Sequence, residues 1–232
     1  MTVVHDRPMP FISDFLDLAM PQSCAGCGAR SLPVCSRCRI ALHGCPHAVR
    51  VKGMALNQFS VVAASLYEGP ARNILLAAKE RNQVALIPMI AEATLGAISS
   101  LLAGCKLSQA LALVPVPSMP RNLRNRGYNL VAQMTELVSS DLALRFDDVR
   151  VVPMLRHARR VDDQSRLTAK ERAANLRNAF MTIDTYSSTL KNRQVIIVDD
   201  LVTTGSTLIE ARRSLLAAGA QLRGAACAMN SC

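Results

Sequence analysis

"QVIIVDDLVTTGST", Gln194 to Thr207, opens with an apolar run that does not alternate. Val195 to Val198 therefore predict a central strand buried on both faces. The run ends at two adjacent carboxylates, Asp199 and Asp200, and in an open α/β sheet the carboxyl end of a strand is where ligands sit. Thr203, Thr204, Gly205, Ser206 and Thr207 then lead into a predicted helix. Gly205 permits close backbone approach, while N–H groups and hydroxyls converge on the positive end of the helix dipole. Such a turn cradles a phosphate monoester. The two carboxylates before it suit the vicinal hydroxyls of a sugar, held directly or through Mg²⁺. Loop capping accounts for one Asp, but hardly for two plus the cradle.

On both sides of this segment, β-prone runs alternate with helical ones. Strands are predicted at 59–67, 111–116, 150–154, 178–183, 194–199 and 222–229, and helices at 70–80, 83–103, 126–145 and 206–218. This alternation argues for a mainly parallel sheet flanked by helices. A further short helix is predicted from Phe11, Ile12, Phe15, Leu16 and Ala19, stopped by Pro21. Residues 85–104 are apolar enough to raise the question of a membrane span, yet Pro88, Glu92 and two Ser favour a buried helix. No membrane span is expected.

The chain has 232 residues, half of them hydrophobic, and a formal net charge of +10. That length allows one full-size domain plus a small module. The charge favours polyanionic partners such as nucleic acids, nucleotides or phosphorylated metabolites. With three Tyr, five Phe and no Trp, recognition by base stacking has little material to use. The N-terminus does not read as a secretory signal, so a cytoplasmic location is expected.

Cys24-Ala-Gly-Cys27 and Cys35-Ser-Arg-Cys38 form two C-x-x-C pairs seven residues apart. Two such knuckles complete a tetrahedral, closed zinc site, so Cys24, Cys27, Cys35 and Cys38 are the candidate ligands of a structural ion. Cys45 and His47 lack a partner pair, and Cys105, Cys227 and Cys232 read as core, strand and terminal thiols. The predicted division is residues 1–50, helix plus zinc module, and residues 51–232, the α/β domain.

The acidic pair and hydroxyl-rich loop resemble the phosphoribosyl-pyrophosphate loop of type I phosphoribosyltransferases. The resemblance implies a type I phosphoribosyltransferase-like α/β fold in which Asp199 and Asp200 hold the ribose hydroxyls and Thr203 to Thr207 hold the 5′-phosphate. "LVPVPSMPRNLRNRGYN" (113–129), "RHARRVDDQSRLTAKERAANLRNAF" (156–180), "YEGPARNILLAAKERN" (67–82) and the cysteine quartet make nearly the whole chain similar to the competence-protein ComF family. In that family the P-V-P segment takes the place of the pyrophosphate loop and the Arg-rich stretch that of the mobile active-site loop. Two signatures differ: the R-G-aromatic-N-Q pattern ends in Leu130, and Lys-aromatic-x-Gly reads Lys79-Glu80-Arg81-Asn82.

Arg121, Arg124 and Arg126 are candidates for a departing pyrophosphate, or form a solvated basic face. Arg159, Arg160, Arg166 and Arg172 suit closure on a ligand and a nucleic-acid backbone equally. Two functions therefore stand side by side. One is binding of phosphoribosyl pyrophosphate with Mg²⁺, or a related nucleotide, in a protein of DNA uptake or recombination that contacts single-stranded DNA and the uptake machinery. The other is transfer of ribose 5-phosphate to an acceptor the sequence does not name. No residue declares itself catalytic.

Overall fold

In the computed structural model, residues 23–30, 33–51, 59–106, 110–158, 178–186 and 188–231 are described. The predicted helix at 11–19 and the candidates Arg159, Arg160, Arg166 and Arg172 lie outside them.

A six-stranded sheet organises the chain in the order β1-β2-β8-β7-β3-β4. Its strands are β1 (His47–Ala48), β2 (Ser60–Leu66), β3 (Leu111–Pro115), β4 (Val149–Val151), β7 (Gln194–Val202) and β8 (Gln221–Asn230). Only the β1–β2 pairing is antiparallel. The remaining strands, β5 (Leu155–His157) and β6 (Phe180–Thr182), pair antiparallel in a separate ladder. The predicted strand at 178–183 thus exists, but outside the parallel sheet. The six α-helices among the described residues are α1 (Ser36–His43), α2 (Gly69–Glu80), α3 (Ile87–Leu101), α4 (Pro120–Arg126), α5 (Leu130–Leu142) and α6 (Ser206–Ala217).

β7 lies between β8 and β3, and Val195 to Val198 are fully buried. The pleat divides them. Ile196 and Val198 join a core with α2, α3 and α5, while Val195 and Ile197 join a second core with Leu208, Ala211 and Leu215 of α6. Each such side chain contributes about 1.5–3 kcal/mol of burial, so the strand that carries the acidic pair is anchored on both faces.

The apolar segment 85–104 forms a core helix: Ile87, Ile90, Ala91, Ala93, Thr94, Ala97, Ile98 and Leu101 of α3 are buried. Among the described residues this is the one helix whose length and composition would suit a membrane, and half of it is covered by the fold. The helix predicted at 126–145 is found at Leu130–Leu142, and a short helix not predicted, α4, precedes it. Gly127 takes φ 74° and ends α4, and Asn129 caps α5 by accepting from the Ala132 N–H at 3.2 Å. A left-handed residue cannot continue a helix, and the Asn cap starts the next one.

Candidate ligand site at the carboxyl end of the sheet

β7 runs past the predicted end at residue 199 to Val202, which carries both carboxylates inside the strand. Each Asp is only 8% exposed. Adjacent in sequence, the two side chains face different surroundings. The Asp200 carboxylate accepts a charge-assisted hydrogen bond from Lys79 Nζ at 2.6 Å. That of Asp199 accepts from the Asp200 N–H at 2.9 Å, and its residue is in register with buried Cys227 of β8. Burial and the neighbouring Asp200 charge push the Asp199 carboxyl up to about 8, against the pull of Lys79 and of the Asp200 N–H. An uncharged carboxyl so close to a charged one is the response expected of two acids taken out of water together.

Beyond Val202 the chain turns through Thr203 and Thr204 to Gly205, which has φ 77° and forms the N-cap of α6. Only a residue without Cβ fits there, because a Cβ would lie 2.3 Å from Val51 Cγ1. The Thr204 and Ser206 hydroxyls are 2.9 Å apart, and the Ser206 N–H donates to Thr204 Oγ1 at 3.4 Å. Thr203 is exposed, whereas Thr204, Ser206 and Thr207 are half-buried. Hydroxyls and the first-turn N–H groups, which have no acceptor within the helix, thus gather at the positive end of a twelve-residue helix.

A cleft of about 660 Å³ has Lys79, the partner of Asp200, in its lining. Its lining includes Tyr67, Lys79, Asn82, Arg121, Asn125 and Arg126. Arg121 and Arg126, two of the three arginines singled out in the 121–126 stretch, meet here; Arg124 is exposed on the same short helix and is not among the lining residues. Lys79 is the cation that motif reading left out of the site. Its contact with Asp200 spans 121 positions, and the signature it opens, Lys79-Glu80-Arg81-Asn82, does not point to that partner. A larger cavity, about 710 Å³, sits at the other end of α2 beside Cys45 and His47. It has no Lys or Arg in its lining, so its chemistry does not suit a polyphosphate.

The cysteine quartet is assembled. All four Sγ atoms lie within 4.8 Å of one another, and Cys27 and Cys35 are 3.8 Å apart. Zinc–sulfur bonds of about 2.3 Å at tetrahedral angles require sulfur separations of about 3.8 Å, so the quartet fits a structural zinc ion. Burial opposes ionisation of Cys24, but N–H groups of Cys35, Cys27 and Gly26 bring it down to about 6. Burial and the neighbouring thiols push Cys38 the other way. Four sulfurs this close ionise together only around a cation. His47 stands apart from the quartet, with Nε2 2.7 Å from Asn230 Oδ1.

The phosphoribosyl transferase domain family matches residues 132–231. Competence protein F of Haemophilus influenzae is 27% identical over 209 residues, covering 89% of this chain and 89% of that protein. The chain is a homologue of competence protein F. DNA utilization protein YhgH of Escherichia coli is 34% identical over 108 residues, 47% of this chain and 44% of that protein. YhgH of Salmonella typhi is 32% identical over the same length. With its mainly parallel sheet, this competence protein F homologue combines a phosphoribosyltransferase-like domain with an N-terminal four-cysteine cluster.

Proposed function

We propose that this competence protein F homologue binds phosphoribosyl pyrophosphate with Mg²⁺ at the carboxyl end of β7, and that it serves DNA uptake or recombination in the cytoplasm by contacting single-stranded DNA. The observation that carries the ligand reading is the linkage of three parts: the Asp199–Asp200 pair, the hydroxyl turn that follows it at the start of α6, and the cleft lined by Lys79, Arg121 and Arg126, which the Lys79–Asp200 contact joins to the pair. A 5-phosphorylated sugar diphosphate has the matching parts in the same order. Its 5′-phosphate suits the N–H groups and hydroxyls of 204–207, its ribose hydroxyls suit the acids, and its diphosphate suits Lys79, Arg121 and Arg126. Mg²⁺, when bound with the ligand, supplies the charge that lets both Asp residues ionise.

Phosphoribosyl pyrophosphate with Mg²⁺ is expected to raise the melting temperature of the wild-type protein. An Asp199→Ala/Asp200→Ala variant is expected to show no rise. No shift in either protein counts against the ligand.

The DNA role is supported by the net charge of +10 and by the names of the relatives, competence protein F and DNA utilization protein. Single-stranded DNA should bind through its backbone, weaken as salt rises and weaken again when Arg159, Arg160 and Arg166 are neutralised. Salt-independent binding, or none, contradicts it.

A second reading, phosphoribosyl transfer, is favoured by the cleft. In such a reaction a nucleophile bonds to the anomeric carbon as its bond to the pyrophosphate oxygen breaks, and the electron pair leaves with pyrophosphate. In this reading Lys79, Arg121 and Arg126 would stabilise that charge and the carboxylates the cationic sugar. Pyrophosphate release with a panel of bases and amines tests this; release with none of them contradicts it.

A further inference from the structure

The last turn of α2 is pinned at three consecutive residues, each to a different part of the site. The Ala78 carbonyl accepts from the Tyr128 hydroxyl, Lys79 donates to Asp200 at 2.6 Å, and Glu80 receives Arg126 at 3.2 Å. Tyr128 and Arg126 flank Gly127, between α4 and α5, and Arg126 also lines the cleft. This turn therefore ties the cleft to the acidic end of β7. Within it, the Lys79–Asp200 contact is the shielded one: their side chains are 18% and 11% exposed, against 64% for Glu80.

A shielded ion pair between a cation that lines the cleft and an acid at the end of β7 has a specific consequence. Removing either partner leaves a desolvated charge alone, which is strongly unfavourable. A divalent cation arriving by itself must take Asp200 from Lys79, and an anion arriving by itself must take Lys79 from Asp200. A cation and a diphosphate arriving together leave both residues paired.

Resting on the phosphoribosyl-pyrophosphate reading above, we infer that Lys79 is a binding residue of the site whose ion pair with Asp200 is exchanged on ligand binding, Nζ passing to the diphosphate while Asp200 passes to the cation and the ribose. The site then takes up cation and diphosphate as a unit. Lys79 is both the rival of the metal for Asp200 and a ligand of the diphosphate, so its removal acts with opposite sign on the two.

The test compares wild type, Lys79→Met and Lys79→Gln, each checked for a cooperative thermal transition. Mn²⁺ binding alone is followed by electron paramagnetic resonance, and phosphoribosyl pyrophosphate binding by calorimetry with Mg²⁺ and with a chelator. In the wild type, Mg²⁺ is expected to tighten phosphoribosyl pyrophosphate binding by about tenfold or more. In both variants Mn²⁺ alone binds more tightly than in the wild type, and phosphoribosyl pyrophosphate with Mg²⁺ binds about tenfold more weakly or worse. General damage to the fold lowers both affinities together, and that outcome overturns the exchange. Unchanged affinities in the variants, with the wild type binding normally, overturn the role of Lys79 and leave the ligand reading standing. A wild type that does not bind phosphoribosyl pyrophosphate with Mg²⁺ overturns the ligand reading itself.

Discussion

Val51 packs its isopropyl group against the bare Cα of Gly205, so that a single added methyl would lie 2.3 Å from Val51 Cγ1 and 2.7 Å from Cγ2. The segment that follows the four-cysteine cluster thereby packs directly on the hydroxyl turn. Gly205 also sits at φ 77°, where a side chain costs about 1–2 kcal/mol before any collision. Gly205→Ala is therefore expected to lose that amount plus about 1–3 kcal/mol of overpacking. In urea titrations the double variant Gly205→Ala/Val51→Ala should recover part of the overpacking share and none of the backbone share. Full recovery would mean that the left-handed conformation is not required.

Asp199 gives the protein a pH dependence of unusual sign. Burial and the Asp200 charge push its carboxyl up to about 8 in the folded chain, while an unfolded Asp titrates near 3.9. Between those values the folded state keeps a proton that the unfolded state releases. Stability therefore falls as pH rises, on the order of 1 kcal/mol per pH unit from about pH 5 to pH 7. Asp199→Asn removes the slope, so its advantage over wild type should grow with pH in denaturant titrations. An advantage independent of pH would show that Asp199 is already ionised.

Ligand uptake should carry the same proton. If Asp199 ionises to hold the ribose or its cation, binding of phosphoribosyl pyrophosphate with Mg²⁺ near neutral pH releases a proton to the buffer. Calorimetry in two buffers of different ionisation enthalpy is expected to give different apparent heats. Identical heats would mean that Asp199 stays protonated in the complex.

Glu210 behaves in the ordinary direction. It is 4% exposed, accepts from the Phe180 N–H at 3.2 Å and pairs with Arg213 at 2.8 Å, while Arg213 donates to the Phe180 carbonyl. Burial works against its charge, but the Arg213 guanidinium and the Phe180 N–H hold its carboxyl below the usual range. Its stabilisation is complete above the unfolded value of about 4.3 and is lost as pH falls through the folded one. Glu210→Gln is expected to cost about 1–3 kcal/mol at neutral pH and less at acid pH. A cost that grows on acidification would contradict the assignment.

The cysteine cluster predicts one zinc ion per chain, released by a strong chelator with loss of thermal stability. Cys38 is fully buried on α1, and Gly26 lies against it with no room for a side chain. Cys38→Ser should therefore lower the melting temperature and abolish stoichiometric zinc. Retention of zinc by this variant would contradict a four-thiolate site.

Much of this architecture was legible in local sequence. The unbroken apolar run at 195–198 marked a strand covered on both faces, and the cysteine spacing marked knuckles that do come together. The same rules failed where position depends on distant chain. The helix predicted at 126–145 spans Leu130–Leu142, because Gly127 ends the preceding helix and Asn129 caps the start of this one. Buried Arg193 reaches Asp148 and the Leu111 carbonyl, and Lys79 reaches Asp200. Arg193 belongs to no motif and Lys79 only to a degraded signature without an assigned role; each is placed by the packing of elements far apart in sequence. The apolar run reads as a strand that ends at the acidic pair, whereas β7 continues through it and turns Asp200 toward α2 and Asp199 toward its own backbone.

The most direct measurement is a crystal structure of the protein grown with phosphoribosyl pyrophosphate and Mn²⁺, with the metal located by its anomalous signal. The 5′-phosphate is expected within hydrogen-bonding distance of the N–H groups of residues 204–207, with the manganese peak beside Asp200. A 5′-phosphate bound elsewhere, with the turn at Gly205 left open, would contradict the assignment of this site.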